Sequence, residues 1–226
     1  MFVFLSYKLD PAGLGWPGEA PLTIDQDKVI GQNGMPYNSV VAHIPNHFGT
    51  HFDAPQHFCP NGIPMHELPV DYFAYKGEDV LLLDIPKEAR GIVMAEDVKP
   101  YEEQLKKAKL LLIRTGFEKY KFTEPELYQM EGPCLHPELS KYLVENFDNL
   151  LCVGLDFLSI GSPSNDLAKD AHQWLLGYHT KKFITAIEDM LLSPLGNKKI
   201  NVVTLGPARL VGADSAQVSV MAEIED

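Results

Sequence analysis

Cysteine pairs, basic residues and long apolar runs are scarce in this sequence of 226 residues. Its three cysteines, Cys59, Cys134 and Cys152, include no CxxC pair. This set offers no disulfide framework, which favours the reducing cytoplasm. The 19 Lys and Arg residues face 31 Asp and Glu residues, and the formal net charge is -12. Such an excess of acid argues against a nucleic-acid partner, because phosphates attract positive charge.

No apolar segment reaches the roughly 18 residues that a membrane span requires. The N-terminus, MFVFLSYKLD, also lacks the basic start of a signal peptide and is better interpreted as a first strand. We therefore expect a cytoplasmic protein that binds neither membranes nor nucleic acid. Its length suits one large domain with a sizeable core.

Apolar periodicity predicts alternating strands and helices. Continuous apolar runs, typical of buried strands, occupy residues 79–85, 108–116 and 150–160, and further strands are predicted at 38–44, 181–190 and 199–210. Helical spacing occurs at residues 95–108, 136–146 and 167–179. No repeat or linker interrupts this order. The sequence therefore predicts a single α/β domain over residues 1–226.

The stretch HFGTHFDAPQHF, residues 47 to 58, contains three histidines and an aspartate within twelve positions. All four ionisable residues have odd numbers: His47, His51, Asp53 and His57. In a straight strand, rising about 3.3 Å per residue, His47 and His51 would lie about 13 Å apart. The ligands of one metal ion must all come within about 2.0 to 2.2 Å of it. A straight strand therefore cannot form a metal site from these residues.

A helix fits no better, because Gly49 weakens it and Pro55 stops it. A strand that curls at Gly49–Thr50 and straightens near Asp53 does fit. In that conformation the polar side chains converge on one side. The aromatic residues between them would pack against the core on the other side: Phe48, Phe52 and Phe58.

Convergence of these four side chains predicts a metal site. A lone histidine in a loop is usually an ordinary hydrogen-bonded side chain, and we assign His43, His66 and His136 to that class. Burying three imidazoles and a carboxylate together is costly unless a partner offsets the cost. A divalent cation is the natural partner for neutral imidazoles and a carboxylate.

The same stretch resembles the HxGTHxDxPxH signature of the metal-dependent cyclase family, which includes bacterial kynurenine formamidases and isatin hydrolases. The resemblance extends to LGWPGEAP (14–21), LLIRTGF (111–117), VGLDFLSIGSP (153–163), NDLAKDAHQWLLG (165–177) and ITAIEDM (184–190). It implies a swivelling β/β/α fold with a mixed central sheet, one or two zinc or manganese ions, and hydrolysis of an amide. We also expect a small-molecule substrate and a homo-oligomer, either a dimer or a tetramer.

Carried over position by position, the resemblance assigns His47, His51 and Asp53 to a first metal ion, with Asp53 able to bridge to a second ion. It assigns His172 and Glu188 to the second position. This sequence departs from the family's pattern in two places. The gap before Glu188 is longer, which leaves two possible substitutes, His179 and Asp189. In addition, Gly161 stands where relatives often have an acidic residue.

His57 matches the catalytic histidine of the family. An amide nitrogen must be protonated as it leaves, and an imidazole titrating near neutral pH can deliver that proton. Trp16, in a loop rich in Pro and Gly, is expected to line the pocket of a flat substrate. We thus expect an arylformamidase-like hydrolase acting on an N-formyl aromatic amine or a cyclic amide. The alternatives are a cyclase or dehydratase on the same scaffold and a metal-binding protein without turnover.

Overall fold

A computed structural model describes residues 1–225 of the chain. Thirteen strands occur among these residues: β1 Phe2–Phe4, β2 Thr23–Lys28, β3 Ser39–His43, β4 His51–Asp53, β5 Ala74–Lys76, β6 Val80–Asp84, β7 Ile92–Val93, β8 Leu110–Arg114, β9 Cys134–Leu135, β10 Cys152–Leu155, β11 Thr185–Glu188, β12 Ile200–Pro207 and β13 Ser215–Ile224. Six α-helices accompany them: α1 Ala95–Val98, α2 Glu102–Leu105, α3 Tyr120–Thr123, α4 Pro125–Met130, α5 Pro137–Asn146 and α6 Ala168–Leu175. None of these helices is long and apolar enough to cross a membrane.

Nine strands form one mixed sheet in the order β5-β12-β13-β4-β11-β10-β8-β6, with β1 paired to β13. Strands β6, β8, β10 and β11 run parallel, whereas β4 is antiparallel to both β11 and β13. The two edge strands, β5 and β6, are joined by three residues only, so the sheet nearly closes on itself. The predicted α/β fold with a mixed central sheet is thus confirmed.

Two apolar cores flank the parallel strands. Leu111 and Ile113 of β8 face a core shared with α5 and α6, and Leu110 and Leu112 face a second core inside the curled sheet. This alternation follows from the period of two along a strand. Because both faces are covered, β8 has the continuous apolar run from which the sequence predicted a buried strand. The sheet is therefore a rigid support for the side chains at its strand ends.

Sequence periodicity did not predict five of the thirteen described strands, which are β2, β5, β7, β9 and β13, and it misjudged one helix. The predicted helix over 95–108 is interrupted by a 3-10 turn at Lys99–Tyr101, because Pro100 cannot donate the hydrogen bond that a continuous helix needs. Strand β13, the longest of those described, alternates buried and exposed residues and lacks a continuous apolar run. Strand β2, TIDQDK, is mostly polar and pairs only with β3.

Candidate metal centre

The histidine-rich stretch follows the curled path that its sequence predicts. A turn closes between the Phe48 amide and the Pro45 carbonyl at 3.1 Å, and Gly49 has a positive φ of 66°. Glycine adopts this left-handed conformation without the steric cost of a side chain. The chain then extends as β4 and turns again at Pro55–His57. Gly49 and Pro55 thus shape the two bends that bring the polar side chains together.

The aromatic residues of this stretch occupy two different environments. Phe48 and Phe52 are buried in the protein, as predicted. Phe58 is only partly buried, and its ring stacks on that of His172 with centroids 4.3 Å apart. The prediction that Phe58 packs in the core is therefore wrong, because the turn at Pro55–His57 redirects it toward the site.

Five residues from three parts of the chain converge at the end of β4. His47 Nδ1 lies 3.2 Å from Asp53 Oδ1, and His51 Nε2 lies 3.5 Å from the same oxygen. Glu188 reaches the group from β11: its Oε2 is 3.2 Å from His51 Nε2, and its Oε1 is 3.4 Å from His172 Nε2. The five predicted metal-ligand residues thus lie together in the fold.

Asp53 belongs to two sets of potential ligand atoms, each spanning less than 4.8 Å. One set contains His47, Asp53 and His57, and the other contains His51, Asp53 and Glu188. A carboxylate shared in this way has the position required of a bridging ligand between two ions. The first set also places His57 within reach of an ion, although the resemblance assigns it a proton-transfer role.

Each of three imidazoles is held at one nitrogen by an acceptor outside the cluster. His51 Nδ1 donates to the Gly49 carbonyl at 2.7 Å, and His172 Nδ1 donates to the Ala168 carbonyl at 2.6 Å. His47 Nε2 lies 3.2 Å from Asp214 Oδ2. These contacts direct the other nitrogen of each ring toward the carboxylates. Metal-binding histidines are characteristically oriented by such outer partners.

The site fits a divalent cation because several of its buried polar atoms face one another without forming hydrogen bonds within the described residues. His51 Nε2 and both carboxylate oxygens of Asp53 are buried and accept or donate no hydrogen bond within residues 1–225. Leaving such atoms unpaired away from water is costly. Imidazole nitrogens and carboxylate oxygens are the donor atoms that zinc and manganese accept. The residues present therefore suit the ion that the sequence predicts.

Protonation of the metal-free site follows from the pairing of its acids and bases. Burial would lower the pKa of His47, but its contacts with Asp214 and Asp53 outweigh burial and raise the pKa to about 10. The pKa values of His51 and His172 are raised despite burial, in both cases through Glu188. Burial would raise the pKa of Glu188, but His172 and His51 hold it well below the usual range. The carboxylates of the cluster thus favour positive charge at the imidazoles that surround them.

Glu188, and neither of its possible substitutes, faces the cluster. Asp189 points to the opposite side of β11, where its carboxylate accepts hydrogen bonds from Lys121 and Tyr128. The ring of His179 packs against Trp174 with centroids 4.5 Å apart. Ser159 Oγ and the Ile160 amide donate to Glu188 Oε1 at 2.9 and 2.6 Å, respectively. The VGLDFLSIGSP segment therefore holds one oxygen of Glu188 and leaves the other toward His51.

Asp214 is a site residue that the sequence reasoning missed. Its Oδ2 accepts a hydrogen bond from His57 Nδ1 at 2.8 Å and lies 3.2 Å from His47 Nε2. These hydrogen bonds to His47 and His57 lower the pKa of the Asp214 carboxyl group. The available signal was an acidic residue directly before the alternating run SAQVSV. That signal does not indicate which residues Asp214 contacts, because the two histidines lie more than 150 residues earlier in the chain.

A cavity of about 250 Å³ opens beside the cluster. Trp16, Phe58 and Leu158 supply apolar walls, and Glu19 lies in the lining together with the histidines. Trp16 is thus placed where the sequence predicts. Close packing explains why position 161 is a glycine, since a Cβ atom there would lie 2.3 Å from the Ala168 Cβ. The close approach of the 153–163 segment to α6 leaves no room for an acidic side chain at this position.

Comparison with known proteins places the chain in a family. Residues 3–162 match the Cyclase family model, described as "Putative cyclase". The chain therefore belongs to this family, as the sequence motif predicts. An uncharacterised protein of Haemophilus influenzae is 46% identical over 123 residues, covering 54% of this chain and 84% of its own. A kynurenine formamidase of Sphingopyxis alaskensis is 27% identical over 216 residues, covering 95% of this chain and 93% of its own.

Solved structures share the fold over nearly the whole chain. Isatin hydrolase A from Labrenzia aggregata, bound to benzyl benzoate, has a TM-score of 0.78 at 21% identity and covers 98% of this chain and 93% of its own. A predicted metal-dependent hydrolase from Bacillus stearothermophilus has a TM-score of 0.72 at 15% identity, with coverages of 98% and 97%. The predicted cyclase-like fold is thereby confirmed.

Proposed function

We propose that this protein is a metal-dependent hydrolase of C–N amide bonds. The observation that carries the proposal is the position of Asp53, whose two buried oxygens form no hydrogen bond within residues 1–225 and lie between two sets of histidine and carboxylate ligands beside an open cavity. The likeness to a kynurenine formamidase and to isatin hydrolases supports the same class of reaction.

One or two divalent ions, zinc or manganese, would be held by the five residues His47, His51, Asp53, His172 and Glu188. When bound, such an ion supplies Lewis acidity, which lowers the pKa of water and polarises a carbonyl group. Asp53 and Glu188 offset the positive charge, and the histidines contribute neutral nitrogen ligands. Removal of an outer partner of such ligands typically reduces metal affinity or activity by about 10- to 100-fold.

His57 would carry the proton that the reaction moves. Its Nδ1 is held by Asp214, which leaves Nε2 directed toward the cluster, 4.0 Å from Asp53 Oδ2. An imidazole in this orientation can accept a proton from the attacking water and donate it to the departing amide nitrogen. Asp214 would fix the ring orientation and stabilise the charged imidazole, in the manner of the acid that supports a catalytic histidine.

The pocket supports a small substrate with a flat ring. Its volume of about 250 Å³ exceeds the roughly 150 Å³ cavity that accommodates benzene. Trp16 and Phe58 offer aromatic surface for stacking at its walls. We therefore propose N-formyl aromatic amines and cyclic amides as the substrate class.

Product analysis in oxygen-18 water tests the proposal. Metal-loaded protein is incubated with N-formyl aromatic amines and cyclic imides, and the label in each product is measured by mass spectrometry. A hydrolase must place oxygen from water in the carboxyl product. Turnover without label would instead identify a cyclase or dehydratase. Absence of turnover across the panel would contradict the proposed substrate class.

A further inference from the structure

A buried ion pair lies directly behind the metal centre. The side chains of Lys121 in α3 and Asp189 after β11 are only 6% and 1% exposed. Lys121 Nζ donates to Asp189 Oδ1 at 2.7 Å, and Tyr128 OH donates to the same oxygen at 2.6 Å. The rings of Tyr7 and Tyr128 lie 4.4 and 5.0 Å from the ammonium group. Tyr7 and Tyr128 thus enclose a charge pair that no step of the proposed reaction uses.

Asp189 has a backbone conformation that the surrounding contacts must impose. Its φ is +56°, in the left-handed region that residues other than glycine rarely adopt. Its amide donates to the Phe157 carbonyl at 2.9 Å, and its carbonyl accepts from Thr50 Oγ1 at 2.6 Å. Together with Lys121 and Tyr128, these contacts fix Asp189 at both backbone and side chain. Non-glycine residues in this conformation persist only where their surroundings overdetermine them.

The conformation of Asp189 affects Glu188, which immediately precedes it. Glu188 is the last residue of β11 and shares a planar peptide group with Asp189, so the contacts that fix the Asp189 backbone also restrict Glu188. When the Asp189 carboxylate is anchored on Lys121, the Glu188 carboxylate points toward His51 and His172. Thr50 provides a second link, because it contacts Asp189 and immediately precedes His51 in the chain. The contacts of Asp189 therefore connect the two strands that carry metal-ligand residues.

Stability alone gives little reason for this arrangement. Burying a charge pair incurs desolvation that its attraction barely repays, and apolar residues of similar volume would stabilise the protein at least as well. A pair of this kind is better suited to specifying one geometry. We propose that Lys121 is a positioning residue: through Asp189, it sets the direction of Glu188 and thereby the affinity of the site for metal. This inference rests on the metal centre proposed above.

Zinc affinity, measured by calorimetry against a competing chelator, tests the inference independently of turnover. Lys121→Met should weaken Zn²⁺ binding by about 10- to 100-fold, the usual effect of losing an outer partner of a ligand. Lys199→Met serves as the matched control, because it removes an exposed lysine paired with Glu225 on the surface. The control should bind Zn²⁺ as the unmodified protein does.

A double-mutant cycle separates positioning from a general loss of structure. In a Glu188→Gln background the metal no longer depends on the Glu188 carboxylate, so Lys121→Met should then weaken Zn²⁺ binding by less than about 3-fold. Equal losses in both backgrounds would overturn the positioning role, as would an unchanged affinity in the single variant. Unmodified protein that binds no Zn²⁺ would overturn the metal centre itself and the inference with it.

A milder variant, Tyr128→Phe, tests the same positioning role if Lys121→Met does not fold. Tyr128→Phe removes one hydrogen bond to Asp189 without leaving a charge unpaired. It should weaken Zn²⁺ binding by about 3- to 10-fold, the range of one typical net hydrogen bond, because Lys121 still holds the Asp189 carboxylate. An affinity equal to that of the unmodified protein would overturn the inference.

Discussion

Asp214 joins two imidazoles that have different proposed roles. It contacts His47, a proposed metal ligand, and His57, the proposed proton carrier. Its neighbour Ser215 also contacts His47, with Oγ 3.1 Å from Nε2. Within residues 1–225 no hydrogen bond joins Ser215 to His57. The two adjacent residues therefore allow the contributions of the two imidazoles to be separated.

Asp214→Asn should lower turnover by about 10- to 100-fold, because it removes the charge that orients His57 while keeping the shape of the side chain. Ser215→Ala is the matched control and should lower turnover less, since the Ser215 hydroxyl contacts His47 and Asn46 but not His57. Steady-state kinetics of both variants with one amide substrate provides the measurement. An equal loss of turnover in the two variants would show that Asp214 acts through His47 rather than through His57.

His57→Ala should retain most of the metal and lower amide turnover by about 100- to 10,000-fold, the range for general acid-base groups. Turnover of an activated ester should fall less, because its leaving group departs without a proton. Metal content and the amide-to-ester rate ratio are measured together. If His57→Ala loses its metal as completely as His51→Ala, or slows esters and amides alike, His57 is a ligand and the proton carrier lies elsewhere.

At the scale of single residues, the sequence could predict what is local. The spacing of His47, His51 and Asp53, with Gly49 between them, restricts the chain to a curl that the structure contains. The position of Asp214 could not be inferred in this way, because it depends on the pairing of β13 with β4. The periodicity of a strand does not indicate which distant strand it pairs with.

At the scale of elements, the β2–β3 hairpin is separate from the main sheet. Both faces are largely exposed, including Ile24 at 49%, Val40 at 55% and Val41 at 49%. A two-stranded hairpin without further packing is marginally stable in water. Its side-chain charges are partly neutralised within the hairpin, where Lys28 pairs with Asp27. These features favour packing of the hairpin against a second copy of the chain.

We propose that the protein is a homo-oligomer in which the hairpin forms part of the contact. Light scattering after gel filtration should give a dimer or a tetramer for the unmodified protein. Val40→Lys combined with Ile24→Lys should shift it toward the monomer, because each introduces charge into an apolar contact. Val70→Lys, at a residue 76% exposed elsewhere on the surface, is the control and should leave the assembly intact. A monomeric unmodified protein would contradict this proposal.

The order of the strands was beyond sequence reasoning for a physical reason. Apolar runs indicate where a chain is buried, so β6, β8 and β10 could be predicted from their sequences. They do not indicate which strands are neighbours. The central position of β4, between β11 and β13, arises from long-range pairing. That position brings Glu188 and Asp214 to opposite sides of the motif.

At the scale of the whole molecule, the stability of the metal-free protein should depend on pH. The folded-state pKa of His47 is raised to about 10, whereas an unperturbed histidine titrates near 6.5. Stabilisation by the protonated ring is therefore fully present below about pH 6.5 and is lost as the pH rises toward 10. Thermal unfolding of chelator-treated protein should show a falling melting temperature over this range. Metal-loaded protein should show a smaller decrease, because metal and proton compete for the same nitrogen. A melting temperature of the metal-free protein that rises over this range would contradict the assigned pairing.

Every proposal made for this site depends on one claim, that Asp53 and its neighbours bind a divalent metal. Metal content per chain, measured after loading with zinc or manganese and removal of free ions, tests this claim most directly. We expect at least one ion per chain in the unmodified protein and a clear loss of metal in Asp53→Asn, which keeps the shape of the residue and removes its charge. Negligible metal in the unmodified protein, or equal metal content in the unmodified protein and in Asp53→Asn, would contradict metal binding through Asp53.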